Sequence, residues 1–230
     1  MRRPLRILGT FLALTGALTL VWALLVWQWQ DPFTALYTKW KQRQLTSQYD
    51  ELTRSFAGAI SHEPLSAQRR SIALAAKRYR HGAKRGQAIG RLRIPRMGVN
   101  MIFVNGTDHN TLKKGPGRDG RTFMPGESRL VYIAGHRTTY LAPFSDIDAL
   151  RTGDRVTIEV PYGTFIYSVT RHRIVQATDL SVLKSPRHEL LELQACHPRF
   201  FASHRYIAYA RLSRVEPRGG TPYKPAQAGA

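Results

Sequence analysis

The stretch LELQACHPRFFASHRYIAYARL, Leu191 to Leu212, holds the single cysteine of a 230-residue chain. Alternation organises it. Leu191, Leu193 and Ala195 share one face of an extended segment, and Glu192, Gln194 and Cys196 share the other. Further on, Tyr206, Ala208, Ala210 and Leu212 form an apolar set, and Arg205 begins the opposite one. If the two strands pair as antiparallel neighbours, Cys196 and Arg205 stand together on the side away from the core. The eight residues between them make that pairing easy. A guanidinium beside a thiol favours the thiolate. One cysteine also excludes an intramolecular disulfide, so the folded part rests on its own core.

The same texture extends through the second half of the chain. From Ala88 onward, short β-like runs are broken by Gly, Pro and Asp: IGRLRI, NMIFV, RLVYIA, DRVTIEV, TFIYSVTRHRIV and ELLELQA. Pro161-Tyr162-Gly163 joins two of them as a hairpin turn does, and only FSDIDALRTG among them reads as helical. This density of strands points to an antiparallel sandwich or a closed barrel. The glycines of KKGPGRDGRTFMPGE follow no phosphate-loop spacing and read as turns.

The first half differs. Ile7 to Trp29 runs 23 residues without a charge, roughly 34 Å as a helix and enough for a hydrocarbon core of about 30 Å. Arg2, Arg3 and Arg6 precede it, and Trp22, Trp27 and Trp29 crowd its far end. This pattern predicts a cytoplasmic N-terminus and an outside location for everything after residue 30. A cleaved signal peptide has a shorter apolar region and an Ala-x-Ala-like site. The first such triplet here, Ala57-Gly58-Ala59, lies far downstream, so an uncleaved signal anchor over residues 1–30 is the better reading. Residues 31–87 are polar and basic. LTSQYDELTRSFAGAI and SAQRRSIALAAKRYR, separated by His62-Glu63-Pro64, predict two helices of a juxtamembrane stalk. Its cations, Arg69, Arg70, Lys77, Arg78, Arg80, Lys84 and Arg85, either lie on anionic headgroups or form a solvated face. Residues 88–216 form the folded domain, and 217–230, rich in Gly, Pro and Ala, form a disordered tail. With 35 Lys and Arg against 15 Asp and Glu the net charge is +20. Outside a membrane that charge matches anionic lipid or wall polymer rather than nucleic acid.

A reactive cysteine needs a proton carrier, and the chain has eight histidines. His197 adjoins Cys196 and so points away from it in an extended strand, and His204 is offset from Arg205 in the same way. His172 lies mid-strand between two arginines, His62, His81 and His188 lie in polar segments, and His109 lies in a turn. His136 ends the apolar strand LVYIAGH behind a glycine, a position that presents a side chain to a loop region. Cys196, His136 and Arg205 are therefore either a catalytic set or a small core cysteine with a histidine that merely caps a strand. No Cys/His spacing suits zinc, no carboxylate cluster suits calcium, and no motif calls for a cofactor.

From about Gly90 to Val215 the sequence resembles the catalytic domain of sortases, membrane-anchored cysteine transpeptidases of Gram-positive bacteria. GRLRIPRMGVN is similar to their first-strand signature, and GTDHNTLKKGPGRDGRTFMPGE to the run leading to the histidine strand. VYIAGHRTTYLAPFSDIDALRTGD resembles the catalytic-histidine segment and LELQACHPRFFASHRYIAYARL the cysteine-to-arginine segment. GHRTTY and CHP look most like the class E branch. The resemblance implies an eight-stranded sortase β-barrel with short helices, preceded by the transmembrane helix and the helical stalk. It implies Cys196 as nucleophile, His136 as general acid/base and Arg205 as the support of substrate and oxyanion. Substrate contacts would fall to Leu193, Ala195, Arg137, Thr138 and Tyr140. The implied reaction cleaves an LPXTG or LAXTG sorting signal of a surface protein between Thr and Gly and passes the acyl group to a peptidoglycan-precursor amine. Where relatives read TLXTC this chain reads Glu192-Leu193-Gln194-Ala195-Cys196, which removes a hydroxyl beside the thiol. Two further readings are a hydrolytic thiol peptidase and a sortase-fold binder of wall components that does no chemistry.

Overall fold

The computed structural model describes residues 2–28, 32–56 and 64–225. His62, Trp29 and the Ala57-Gly58-Ala59 triplet lie outside them. Three long helices come first: α1 (Arg2–Gln28), α2 (Pro32–Ser55) and α3 (Leu65–Gly82). Strands β1 (Ala88–Ile94) and β2 (Val99–Asn105), the short helix α4 (His109–Leu112), and strands β3 (Gly117–Arg118) and β4 (Leu130–Ala134) follow. The chain then forms β5 (Arg155–Val160), β6 (Gly163–Gln176), β7 (Leu190–His197) and β8 (His204–Pro217). The eight strands close into a barrel in the order β1-β2-β3-β4-β7-β8-β6-β5.

Of the two architectures expected, the closed barrel is the one formed; most of its pairs are antiparallel, and β2–β3 and β4–β7 are parallel. The Gly/Pro-rich run read as turns contributes β3, whose two residues pair with β2 on one side and β4 on the other. Without them the barrel would have an open edge there. FSDIDALRTG supplies only a single 3-10 turn at Ile147–Ala149.

Inward-facing residues follow the strand period: Val156, Ile158 and Val160 on β5, Phe165, Tyr167 and Val169 on β6, Leu191, Leu193 and Ala195 on β7. A second, smaller cluster covers the outer face of β4, β8 and the end of β6. There Leu130, Tyr132, Val175, Ile207 and Tyr209 meet Val182 from the β6–β7 connection. Strand β8 is thus apolar on both faces near its start, which the alternation of small residues in YIAYARL only half reveals.

The two helices expected as a stalk are packed on the barrel. Ile72 and Ala76 of α3 enter the main core, and the Tyr79 hydroxyl donates to the Ile89 carbonyl at 3.0 Å. Helix α2 seats Leu45 and Tyr49 against Ala88, Ile102 and Val104. Its Gln42 accepts from the Ile102 amide at 2.8 Å and donates to the carbonyls of Ile102 (2.9 Å) and Lys114 (2.8 Å). Gly115, at φ +152°, leaves the space that this amide fills. Several stalk cations are spent on the same packing: Arg80 on Glu127, Arg85 on Asp108, and Arg69 over the Tyr223 ring. Tyr223 in turn exchanges backbone hydrogen bonds with Val215, so the chain from Pro217 to Tyr223 is held on the barrel, and residues 226–230 of the expected tail lie outside the described residues. Within α1, Arg3–Leu24 has a mean hydropathy of 2.0 and no part of it is buried against the rest of the chain.

Packing of α3 is directly testable. Ile72→Ala, a truncation inside the main core, should lower stability by about 3 kcal/mol. Leu74→Ala, on the exposed side of the same helix, should stay within about 0.5 kcal/mol. Equal effects in urea unfolding would mean that α3 is not docked.

Candidate active site

Two strand registers build the site. Along β7 and β8, Cys196 is paired with Arg205, Gln194 with Ile207 and Glu192 with Tyr209. Residues directly opposite one another share a face, and Ile207 and Tyr209 belong to the outer cluster. Cys196 and Arg205 therefore emerge together outside the barrel. On the other flank of β7, the parallel pairing with β4 ends at Ala134–Gln194, followed by one hydrogen bond from the Gly135 amide to the Gln194 carbonyl at 3.0 Å. His136 and Cys196 each lie two residues beyond that last pair, His136 just past the end of β4 and Cys196 near the end of the neighbouring β7. The three residues picked from sequence are thus brought to one rim.

His136 is held at both ends. Gly135 before it lies against the Phe144 ring, where an added Cβ would sit 2.7 Å from the ring carbon, so the glycine serves close approach. After it the chain turns through Tyr140, Leu141 and Ala142, all with positive φ (53°, 63° and 37°), and returns so that the Phe144 amide donates to the His136 carbonyl at 3.0 Å. Three consecutive non-glycine residues in the left-handed region cost about 1 kcal/mol or more each, a strain the packing must offset. The His136 ring lies 5.1 Å from the Tyr140 ring and 6.5 Å from His109 at the start of α4. Its Nε2 is buried and makes no hydrogen bond among the described residues. Burial, then the neighbouring His109 and Lys113, pull the imidazole below the usual histidine range. At neutral pH it is mainly the neutral form, able to accept a proton.

The Arg205 guanidinium is anchored through one nitrogen. Nη1 donates to the carbonyls of Ala202 (2.7 Å) and His204 (2.9 Å). Nε and Nη2 make no hydrogen bond among the described residues, which leaves two donors of the planar fork for a ligand.

Arg137 behaves differently from expectation. It is only 4% exposed, and its guanidinium is turned inward. It donates to Asp148 Oδ2 (2.6 Å), to the carbonyls of Ser145 (3.4 Å) and Cys196 (3.3 Å), and faces His197 Nδ1 at 2.9 Å. Since an arginine only donates, His197 Nδ1 accepts. Arg199 adds a second tie, to the Ser145 carbonyl (2.7 Å) and Asp146 Oδ1 (2.9 Å). These two arginines pin the segment after His136 to the segment after Cys196. Arg137 is corrected from substrate contact to internal clamp. Leu193 and Ala195 are corrected likewise: both are wholly buried inside the barrel, on the face opposite the thiol. Thr138 and Tyr140 remain partly exposed beside His136.

The face continues from Cys196 back along β7 to a concavity of about 710 Å³ between β6, β8 and the β6–β7 connection. Arg171, Arg173, Lys184 and Arg211 stand around it, and Glu192 and Tyr209 line it. Glu192 is 3% exposed, its Oε2 makes no hydrogen bond among the described residues, and burial pushes its carboxyl up to about 7 against the pull of Arg171 and Arg173. Among the described residues no group of three or more His, Cys, Asp or Glu is gathered as for a metal ion.

The Sortase domain family matches residues 92–213 of this chain. Sortase D of Bacillus subtilis is 34% identical over 131 residues, covering 55% of this chain and 64% of that protein, so the match spans under two thirds of the relative's length. Sortase E1 of Streptomyces coelicolor, solved with a tripeptide in its active site, superposes with a TM-score of 0.54 at 27% identity over 58% of this chain and 92% of that one. A Clostridium perfringens Sortase D5 transpeptidase superposes with a TM-score of 0.61 at 23% identity, covering 75% and 98%, which speaks to the fold alone.

Two titrations follow from this geometry. Lys113→Met removes one of the charges that depress His136, so the imidazole should titrate at higher pH in an NMR series. An unmoved or lower value would mean that the two groups do not face one another. Glu192 has a folded-state value above the ordinary glutamate value of about 4.3, so the native state holds the extra proton and stability falls as pH rises through that window to about 7. Glu189 titrates there as well, so the measurement is the difference between wild type and Glu192→Gln. Urea midpoints should converge below about pH 4, under the unfolded value, and leave the variant ahead near pH 8.

Proposed function

This chain belongs to the sortase family, and from that premise we propose that it is a membrane-anchored cysteine transpeptidase acting on a C-terminal sorting signal of LPXTG or LAXTG type. The observation that carries the reading is the Cys196–Arg205 register beside the strand end that presents His136. A lone thiol on a strand has no reason to be opposite an arginine with two free donors, at the end of a strand whose neighbour delivers a depressed-pKa histidine.

The chemistry assigns each group one task. Cys196 Sγ, having passed its proton to His136, attacks the Thr carbonyl of the signal. The tetrahedral oxyanion accepts hydrogen bonds from Arg205 Nε and Nη2. His136 returns the proton to the departing Gly amine as the C–N bond breaks, leaving a thioacyl-enzyme. An amine of a peptidoglycan precursor then attacks the thioester, gives a proton to His136, and releases Cys196. Thr138 and Tyr140, partly exposed next to His136, are the residues we propose for contact with the arriving substrates. The apolar outer cluster on β4 and β8 supplies a floor for an extended peptide. The tripeptide bound in the Streptomyces coelicolor Sortase E1 active site supports a peptide as the class of ligand. Helix α1, by length and hydropathy, supports a single span with the barrel on the outer side.

The test mixes the full chain, in detergent micelles, with LPXTG and LAXTG peptides and an amine acceptor, followed by mass spectrometry. A thioacyl adduct on Cys196 that proceeds to ligated product is expected, with nothing from Cys196→Ala. An adduct that only hydrolyses would replace transpeptidation by thiol peptidase activity. No adduct with either peptide would leave a sortase-fold binder. Arg205→Lys should lower kcat/KM by about 100-fold, because an ammonium does not reproduce the fork.

A further inference from the structure

Helix α2 has two faces. Thr34, Thr38, Gln42, Leu45 and Tyr49 recur at helical spacing and meet the barrel: Thr38 Oγ1 donates to the Lys113 carbonyl (2.9 Å), Gln42 clamps Ile102, and the Tyr140 amide donates to Thr34 Oγ1 (3.2 Å). With 3.6 residues per turn, Phe33, Leu36, Tyr37 and Trp40 fall on a strip centred roughly 150° away. Much of that strip is solvent-accessible: Leu36 is 69% and Trp40 51% exposed, while Tyr37 at its edge is 38% exposed. On the same projection Lys41 borders the strip on one side and Lys39 and Arg43 on the other. The Lys41 ammonium lies 4.1 Å over the Trp40 ring.

Position decides what covers this strip. Helix α1 ends at Gln28 and α2 begins at Pro32. Four peptide steps reach no more than about 15 Å, so the first turns of α2 cannot leave the neighbourhood of the end of a helix long enough to cross a bilayer. Aromatic rings, a leucine and flanking cations within that reach have the composition of a segment lying in the headgroup region.

We propose that the Phe33–Leu36–Tyr37–Trp40 strip of α2 is a docking face for the lipid surface, seated in the headgroup layer of the membrane that α1 enters. This rests on the anchoring reading above. It carries a geometric consequence for the site. Thr34 meets the Tyr140 amide and Tyr37, at the edge of the strip, has its ring 6.5 Å from the Tyr140 ring, so the histidine end of the barrel is held within about one helix diameter, some 10 Å, of the lipid.

The experiment uses the full chain reconstituted in vesicles of phosphatidylcholine and phosphatidylglycerol, with single-tryptophan variants. Trp40 alone (Trp22→Phe, Trp27→Phe, Trp29→Phe) should be quenched at least twofold by lipids brominated near the headgroup and protected from iodide. Trp22 alone (Trp27→Phe, Trp29→Phe, Trp40→Phe) reads the anchor separately and should be quenched by lipids brominated deep in the chains. Trp40 quenched by iodide and insensitive to brominated lipid overturns the docking face. Trp40 shielded from both means that protein, such as a second copy of the chain, covers the strip, and this also overturns it. A silent Trp22 with a lipid-quenched Trp40 would remove the spanning anchor and keep the docking face.

Discussion

The structure depends on how β7 is paired on its two sides. Antiparallel to β8 it places Cys196 opposite Arg205, and parallel to β4 it brings His136 level with the thiol. Both registers are backbone hydrogen-bond ladders, so the site is set by the sheet and only refined by side chains. The period of two leaves no latitude. A slip of one residue would turn Ala195 outward and bury Cys196 in the barrel, exchanging every core residue of the strand for a polar one. Burying Leu191, Leu193 and Ala195 is what makes that slip costly, and the same burial positions Cys196.

Around this frame the loops are tied rather than left to float. Arg137 and Arg199 both reach the Ser145–Asp148 stretch, and Arg137 also holds the Cys196 carbonyl. The turn after His136 is bent through the left-handed region by three ordinary residues and is supported from outside by α2, through Thr34 on the Tyr140 amide and Tyr37 on the Tyr140 ring at 6.5 Å. Helices that begin as an appendage in the sequence thus become part of the wall behind the site. An isolated barrel beginning at Ala88 would lose Ile72, Ala76, Leu45 and Tyr49 from its packing.

The alternation in LELQAC and the apolar set after Arg205 made the outward placement of Cys196 and Arg205 legible, because period-two patterning is a local property. His136 is legible as the residue that ends an apolar strand. The parallel β4–β7 pairing was not legible, since alternation says which face a residue takes and nothing about which strand lies alongside. Two-residue β3 carries no pattern at all. Inheritance by motif misled at Leu193 and Ala195, whose own alternation already assigned them to the core. Arg137 looked like a substrate contact from its place after His136. Its partners, Asp148 and the Cys196 carbonyl, come from segments that only the fold unites. The stalk helices were recognised as helices, but their docking depends on single residues such as Gln42 and Ile72 that a basic composition hides.

Central to the proposed function is that His136 and Cys196 act as one ionising unit because β4 and β7 end side by side. The most direct measurement is the rate of Cys196 alkylation by iodoacetamide between pH 5 and 10, in the full chain and in His136→Gln. Coupled groups give a wild-type profile with a component that follows the titration of the imidazole and that disappears in the variant. Superimposable profiles would contradict the claim, whatever peptide the protein cleaves.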